Sequence, residues 1–175
     1  FDLNQVQAGQ SVLLNLKIEG VYQQRSYSIV NVTAKGEIQL GVKVQGVVSN
    51  AVQQLRIGDH VEISQPQGEF VLHQGQQAAL MMASGSGITA IYSLLKQAIE
   101  QNLNEIHVLY FNRAEVFHQE ILALAEQHPQ LKYHFFNTSV KKQHLDTALL
   151  EKLVPNFKQL QSYACGHHSM MRQAQ

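Results

Sequence analysis

Ala78-Ala79-Leu80-Met81-Met82-Ala83-Ser84-Gly85-Ser86-Gly87-Ile88-Thr89 joins a wholly apolar run to a glycine-rich turn. Six consecutive apolar residues fit a strand buried on both faces, as in a parallel sheet covered by helices. After the turn, Ile88, Ile91, Leu94, Leu95, Ala98 and Ile99 recur at the spacing of one helix face. The same alternation then repeats downstream. Residues 106–111 read as a second buried strand, 115–127 as a helix stopped by His128-Pro129, and 131–136 as a third strand. Residues 145–153 carry the helical stripe Leu145, Leu149, Leu150 and Leu153, and 162–165 read as a fourth strand. A βαβαβαβ order predicts a doubly wound parallel sheet with helices on both faces.

Upstream of residue 75 the pattern is different. Short β-like runs at 11–18, 25–31, 37–44, 60–64 and 69–72 follow turn signals such as Ala8-Gly9, Lys35-Gly36, Gly58-Asp59 and Gly68. Runs this short, with turns this frequent, predict an antiparallel barrel or sandwich. One short helix is expected at 50–55. The fold class is therefore β followed by α/β: a small antiparallel β-barrel domain over residues 1–74 and an α/β domain over 75–175.

Composition narrows the function classes. The 175 residues are 45% hydrophobic, enough for packed cores. Thirteen basic and thirteen acidic residues leave a formal net charge of +0, so no long-range field draws nucleic acid or an anionic membrane. No apolar run approaches 18 residues, so no transmembrane helix is expected. A lone cysteine excludes an internal disulfide framework and fits a reducing, cytoplasmic setting. The nine histidines show no zinc-type ligand spacing with Cys, Asp or Glu, so no metal site is expected. The chain opens on Phe1, and its last segment, His168 onward, reads as a helix that has just begun; an internal piece of a longer protein is expected.

Two peptides carry chemistry. The first strand-to-helix turn of an open parallel sheet is where nucleotide phosphates sit, and the helix beyond it offers free N–H groups and partial positive charge. Gly85 and Gly87 are placed for close approach, and Thr89 can cap the helix or bond a ligand. The alternative is a tight turn without a ligand. Arg25-Ser26-Tyr27-Ser28 lies in a β run, so Arg25 and Tyr27 share one face and Ser26 takes the other. Arg25 offers a planar fork for phosphate, Tyr27 a flat ring for stacking, and Ser28 a small hydroxyl for a ring nitrogen. That set suits a flavin nucleotide; a plain half-buried strand is the alternative.

Arg25-Ser26-Tyr27-Ser28, Gly46-Val47-Val48-Ser49, Gly85-Ser86-Gly87-Ile88-Thr89 and Cys165-Gly166 occur in an order that resembles the ferredoxin–NADP reductase superfamily, and within it the bacterial reductases that serve iron–sulfur proteins and oxygenases. The resemblance implies an N-terminal FAD-binding barrel lacking its first strand. It also implies an NAD(P)-binding domain lacking its C-terminal end. By that resemblance Arg25 contacts the FAD pyrophosphate, Tyr27 packs on the flavin, and Ser28 bonds near flavin N5. Val42 and Lys43 lie on a strand beside the flavin. Gly46, Val47, Val48 and Ser49 offer backbone amides to the pyrophosphate, and Phe70 lies on the strand that joins the domains.

In the second domain the resemblance assigns Gly85, Ser86, Gly87, Ile88 and Thr89 to the dinucleotide loop, with Ala90 where relatives have Pro. Asn112 and Arg113 stand where the adenosine ribose is discriminated. Arg113 either pairs with a 2′-phosphate, favouring NADPH with NADH possible, or is a solvated loop charge. Cys165 and Gly166 lie by the nicotinamide, with His167 where Pro is usual; a small core residue is the other reading of Cys165. The implied activity is hydride transfer from NAD(P)H to FAD, then single electrons to a [2Fe–2S] ferredoxin-type protein or domain that serves an oxygenase or desaturase. Tyr27, Ser28 and Cys165 are the residues expected nearest the reacting atoms. Two rivals remain: the reductase portion of a flavohaemoglobin or multicomponent oxygenase, and a flavin-binding electron-transfer subunit that does not use NAD(P)H directly.

Overall fold

The structure, a computed structural model, describes residues 2–140 and 143–174. The chain divides into two compact units, Phe1–Val71 and Leu72–Gln175.

The first unit is built on a long hairpin. Strand β1 (Ser11–Ile18) pairs antiparallel with β2 (Val21–Val32), Ile18 opposite Val21. Glu19 (φ 51°) and Gly20 (φ 84°) make the two-residue turn. Two positive-φ residues give the twist that matches the flanking strands, and glycine takes that conformation without strain. β3 (Ile38–Leu40) extends the sheet beside β2, and β4 (Glu62–Ile63) beside β1, giving the order β3-β2-β1-β4. Helix α1 (Val47–Gln53) packs Val48 against Leu14 and Leu16 in a small cluster that Tyr27, Leu40 and Ala51 border.

This unit departs from expectation at its edges. The predicted barrel is a curled, open four-stranded sheet among the described residues. The run at 37–44 is a strand only through Leu40; after the Gly41 N–H bonds the Ser28 carbonyl (3.4 Å) the chain leaves β2, so Val42 and Lys43 are not on a strand. Residues 69–72 form no strand either: Gly68 turns the chain, and Val71 N–H bonds back to the Glu69 carbonyl (2.9 Å). Phe70 therefore sits in irregular chain. The helix begins at Val47, three residues earlier than predicted, because the Ser49 hydroxyl caps it.

The second unit alternates as the sequence predicts: β5 (Ala78–Ser84), α2 (Ile88–Glu100), β6 (Glu105–Asn112), α3 (His118–Gln127), β7 (Leu131–Asn137), α4 (Thr147–Leu153), β8 (Gln161–Cys165) and α5 (His168–Gln173). All strand pairs are parallel, in the order β7-β6-β5-β8. The terminal helix does form; Gln175, its last predicted residue, lies outside the described residues. Helix α3 starts at His118 rather than Glu115, because Phe117 takes a left-handed conformation (φ 57°) that ends the preceding turn.

Strand alternation sorts the core. Leu80, Met82, Leu109 and Phe111 face one way and meet Leu145, Leu150, Val154 and Met170 from the α4 and α5 side. Tyr110 and Phe135 face the other way, where His118 of α3 lies against Phe135. Tyr92 of α2 stacks on Phe117 beside them. Helices thus cover both faces. Ile91, Leu94 and Leu95 of α2 are fully sealed, each contributing about 1.5–3 kcal/mol by leaving water. Asp146 caps α4 by accepting the Leu149 N–H at 2.7 Å, a contact of about 1 kcal/mol.

Candidate functional site

In the α/β unit, strand order reverses at β5, which has β6 on one side and β8 on the other. The crevice outside the carboxyl ends at such a reversal is where open α/β sheets take ligands. Three predicted segments meet there. Ser84 ends β5 and pairs with Phe111, so Asn112 lies one residue on, at the end of β6. Ala83 pairs with Cys165 at the end of β8, so Gly166 stands beside Ser84. Cys165-Gly166, residues 84–89 and Asn112-Arg113 therefore form a row, each about 4.8 Å from the next across the sheet.

The glycines also have a packing duty that was not expected. A Cβ on Gly87 would overlap the Cys165 carbonyl, and one on Gly166 would overlap Ser84. A Cβ on Gly85 would come within 2.7 Å of the His167 ring Nε2. Their bare faces turn toward the neighbouring loop. The loop after β8 is thus seated on the turn after β5, and the His167 N–H donates to Ser84 Oγ at 2.7 Å. Proline has no N–H, so the histidine makes a bond that proline could not.

Thr89 is buried and its hydroxyl donates to the Ser86 carbonyl (2.9 Å), closing the first turn of α2. Ser86 is exposed and Ile88 buried. A 3-10 turn over Gly85–Gly87 runs into α2 and takes the Ile88 N–H to the Ser86 carbonyl, so the start of that turn carries the positive dipole end, which fits a pyrophosphate. The Cys165 thiol is half-buried, and burial raises its pKa, so at neutral pH it is a neutral thiol and not a thiolate nucleophile. Asn112 is half-buried and Arg113 exposed.

In the β unit, Arg25 and Tyr27 pair with Leu14 and Val12 and share their face. Tyr27 packs in the cluster with Val48, so the segments 25–28 and 46–49 come together. Burial raises the Tyr27 phenol pKa and Arg25 partly offsets it; the ring stays neutral. One Arg25 nitrogen, Nη1, donates to the Gln24 carbonyl at 2.7 Å, and the exposed fork keeps its other donors for an anion. Ser28 is on the opposite face, opposite Ser11, so the four-residue peptide does not present all three predicted contacts on one side.

At the 46–49 loop, Ser49 Oγ accepts the N–H groups of Gln45 (2.8 Å) and Gly46 (3.0 Å) and donates to the Gly46 carbonyl (3.1 Å). The Gly46 amide is therefore used inside the protein. The donors left for a phosphate are the first-turn amides of Val47, Val48 and Ser49. Val47 is exposed beside them, as are Val44 and Lys43; Val42 is half-buried. Apolar surface beside free amides and a guanidinium fits a flavin nucleotide.

Ser84 and Tyr110, which support these loops, were not anticipated, and Ser49 was expected to offer its amide and not its hydroxyl. Tyr110 alone left a usable signal, two residues before Asn112 on the same strand face.

Family models match both units: an oxidoreductase FAD-binding domain over residues 3–72 and an oxidoreductase NAD-binding domain over residues 81–175. The chain belongs to the ferredoxin reductase-like superfamily. It is similar to a flavohemoprotein of Pseudomonas putida, 33% identical over 130 residues, which are 71% of this chain and 33% of that protein. It is similar to the reductase component of phenol 2-monooxygenase from a Pseudomonas species, 33% identical over 73% of this chain and 38% of that one. Among solved structures, a ferredoxin NADP+ reductase from Neisseria gonorrhoeae with bound FAD and NADP aligns with TM-score 0.76. That match is 17% identical and covers 96% of this chain and 76% of the other, a likeness of fold. This superfamily member spans less than half the length of these two curated relatives. No helix among its described residues is long and apolar enough to cross a membrane.

Proposed function

We propose that the protein is an NAD(P)H-dependent flavin oxidoreductase, with FAD held by residues 1–74 and the nicotinamide nucleotide by residues 75–175. The observation that carries this reading is the row of Cys165-Gly166, residues 84–89 and Asn112-Arg113 on three adjacent strand ends. FAD, when bound, accepts hydride from the reduced nicotinamide and releases electrons singly to an acceptor.

The chain's own residues orient and shield. The amides of the Gly85–Gly87 turn hold the dinucleotide pyrophosphate, and the clasped loop after β8 sets Cys165 and Gly166 at the nicotinamide end. Cys165, neutral and half-buried, packs against the ring without attacking it. Arg25 and the first-turn amides of α1 hold the flavin pyrophosphate, Tyr27 flanks the ring system, and Ser28, Val42, Lys43 and Phe70 line its surroundings. Hydride transfer itself needs no acid or base from the protein.

The electron acceptor is a [2Fe–2S] ferredoxin-type protein or domain in the cytoplasm. A second reading, the reductase portion of a flavohaemoglobin or of a multicomponent oxygenase, is favoured by the two curated relatives above.

An anaerobic visible spectrum of the full-length protein, before and after NADPH and then NADH, tests the proposal. Flavin bands that bleach with either nucleotide are expected. Flavin that neither nucleotide bleaches would leave an electron-transfer subunit that does not use NAD(P)H. A protein that stays colourless after incubation with FAD would defeat the flavin assignment.

A further inference from the structure

His73-Gln74-Gly75-Gln76-Gln77 stands at the opening of the second unit and leads into β5. By composition this polar, glycine-containing stretch is a flexible linker. The structure ties it down. Gly75 takes a φ of 77°, the conformation that a tight turn of this kind needs at its third residue. The turn brings residues 73 and 76 to one oxygen, the hydroxyl of Tyr163 on β8. The His73 backbone N–H donates to that oxygen at 2.9 Å, and the hydroxyl donates to Gln76 Oε1 at 2.5 Å. A backbone N–H only donates, so the hydroxyl accepts from His73 and spends its own hydrogen on Gln76. Tyr163 is buried, and burial raises its phenol pKa against the pull of these two bonds, so the hydrogen stays on the oxygen. The far end of the segment is held as well: the Gln77 carbonyl accepts the Asn104 N–H at 2.8 Å.

Tyr163 lies on β8 two residues before Cys165, so one strand carries both the anchor of the joining segment and one end of the dinucleotide crevice. The chain passes from the first unit into the second through that anchored segment. Hydride transfer between two bound nucleotides is sensitive to small displacements, and a misplacement of about 1 Å can slow such a step about 100-fold. A joint free to swing would hold donor and acceptor in reach for less of the time. We propose that Tyr163 is a positioning residue for flavin reduction: its hydroxyl fixes the joint between the flavin unit and the dinucleotide unit, and so raises the rate of hydride transfer without adding to the affinity for either nucleotide. The inference rests on the reading of the protein as an NAD(P)H-dependent flavin oxidoreductase.

Three readouts on the full-length, FAD-loaded protein test it: the anaerobic rate of flavin bleaching at saturating NADPH or NADH, the Kd for ADP-ribose by calorimetry, and limited proteolysis within residues 73–77. Tyr163→Phe keeps the ring and removes both bonds. It should slow bleaching by about 10-fold or more, leave the ADP-ribose Kd at its wild-type value, and speed cleavage of the joining segment. Gln76→Leu removes one of the two bonds and should give a smaller loss of rate at the same affinity. The double variant should be no slower than Tyr163→Phe alone, because both residues act through one oxygen. Bleaching by Tyr163→Phe at the wild-type rate would overturn the inference, as would an ADP-ribose affinity that falls in step with the rate. Should Tyr163→Phe fail to fold, a wild-type rate in Gln76→Leu would overturn it instead. A wild type whose flavin neither nucleotide bleaches would overturn the oxidoreductase reading and the inference with it.

Discussion

The two units bury apolar surface in different ways. In the α/β unit helices cover both sheet faces, and Met81, Ile91, Leu94, Ile106 and Leu109 are sealed from solvent. In the β unit the interior is smaller, Val12, Leu14, Leu16, Ile29, Val30 and Val48, while Val44, Val47, Val61 and Ile63 stay exposed. The α/β unit carries its own core. The β unit keeps apolar surface open at Val44 and Val47, beside the start of α1.

The largest expected effect breaks one half and spares the other. Gly87→Val places side-chain atoms into the Cys165 carbonyl and pushes apart the two loops of the dinucleotide site. Flavin reduction by NAD(P)H should slow by about 100-fold or more, since small displacements of bound reactants have that cost. Overpacking should destabilise the α/β unit by about 1–3 kcal/mol. The flavin spectrum, which depends on the other unit, should be unchanged. Bleaching at the wild-type rate would show that the seated loops are not part of the nucleotide site.

A second measurement sharpens the contrast. FAD at 100 times its Kd should stabilise the unit that binds it by about 2.7 kcal/mol. Hydrogen exchange should register this in β1, β2 and α1, and leave β5 and β6 as they were. Equal protection of both units would mean that their stabilities are not separate.

The smallest effect lies inside the α/β unit. The Glu105 carboxyl is held below the usual range, chiefly by its hydrogen bond with the His107 ring (2.8 Å), against the opposing pull of burial, with the Asn156 amide helping. A lowered folded pKa means that this stability is present above the unfolded carboxylate value and is lost as pH falls through the folded one. Because the carboxylate is 31% exposed, the contribution should stay below about 1 kcal/mol. Melting of the α/β unit followed from about pH 6 to pH 3 should show a shallower acid loss in Glu105→Gln than in wild type. Identical slopes would remove Glu105 from the acid response.

Legibility followed the same division. The α/β unit was readable because its signals are local: a run such as 78–83 is apolar throughout, and the 88–99 stripe repeats at helical spacing. The β unit's core hairpin was readable for the same reason. Its edges were not, since whether 37–44 or 69–72 joins a sheet depends on partners far along the chain, and a turn bond at Glu69–Val71 decided one of them. At the site, the sequence marked Gly85, Gly87, Asn112 and Cys165 but not their order across the sheet, which strand pairing sets. It did not show that a neighbouring loop packs on the glycines, because a bare Cα says nothing of what approaches it. Ser84 and Ser49 lay inside marked segments, but nothing local marked their hydroxyls as the groups that hold neighbouring backbone amides.

The bond from His167 to Ser84 is made by a backbone amide, and that gives the protein a clock. An amide proton exchanges with solvent only when its bond opens, so the deuterium uptake of this one peptide group times how often the loop after β8 lifts from the turn after β5. A proline at this position would silence the clock.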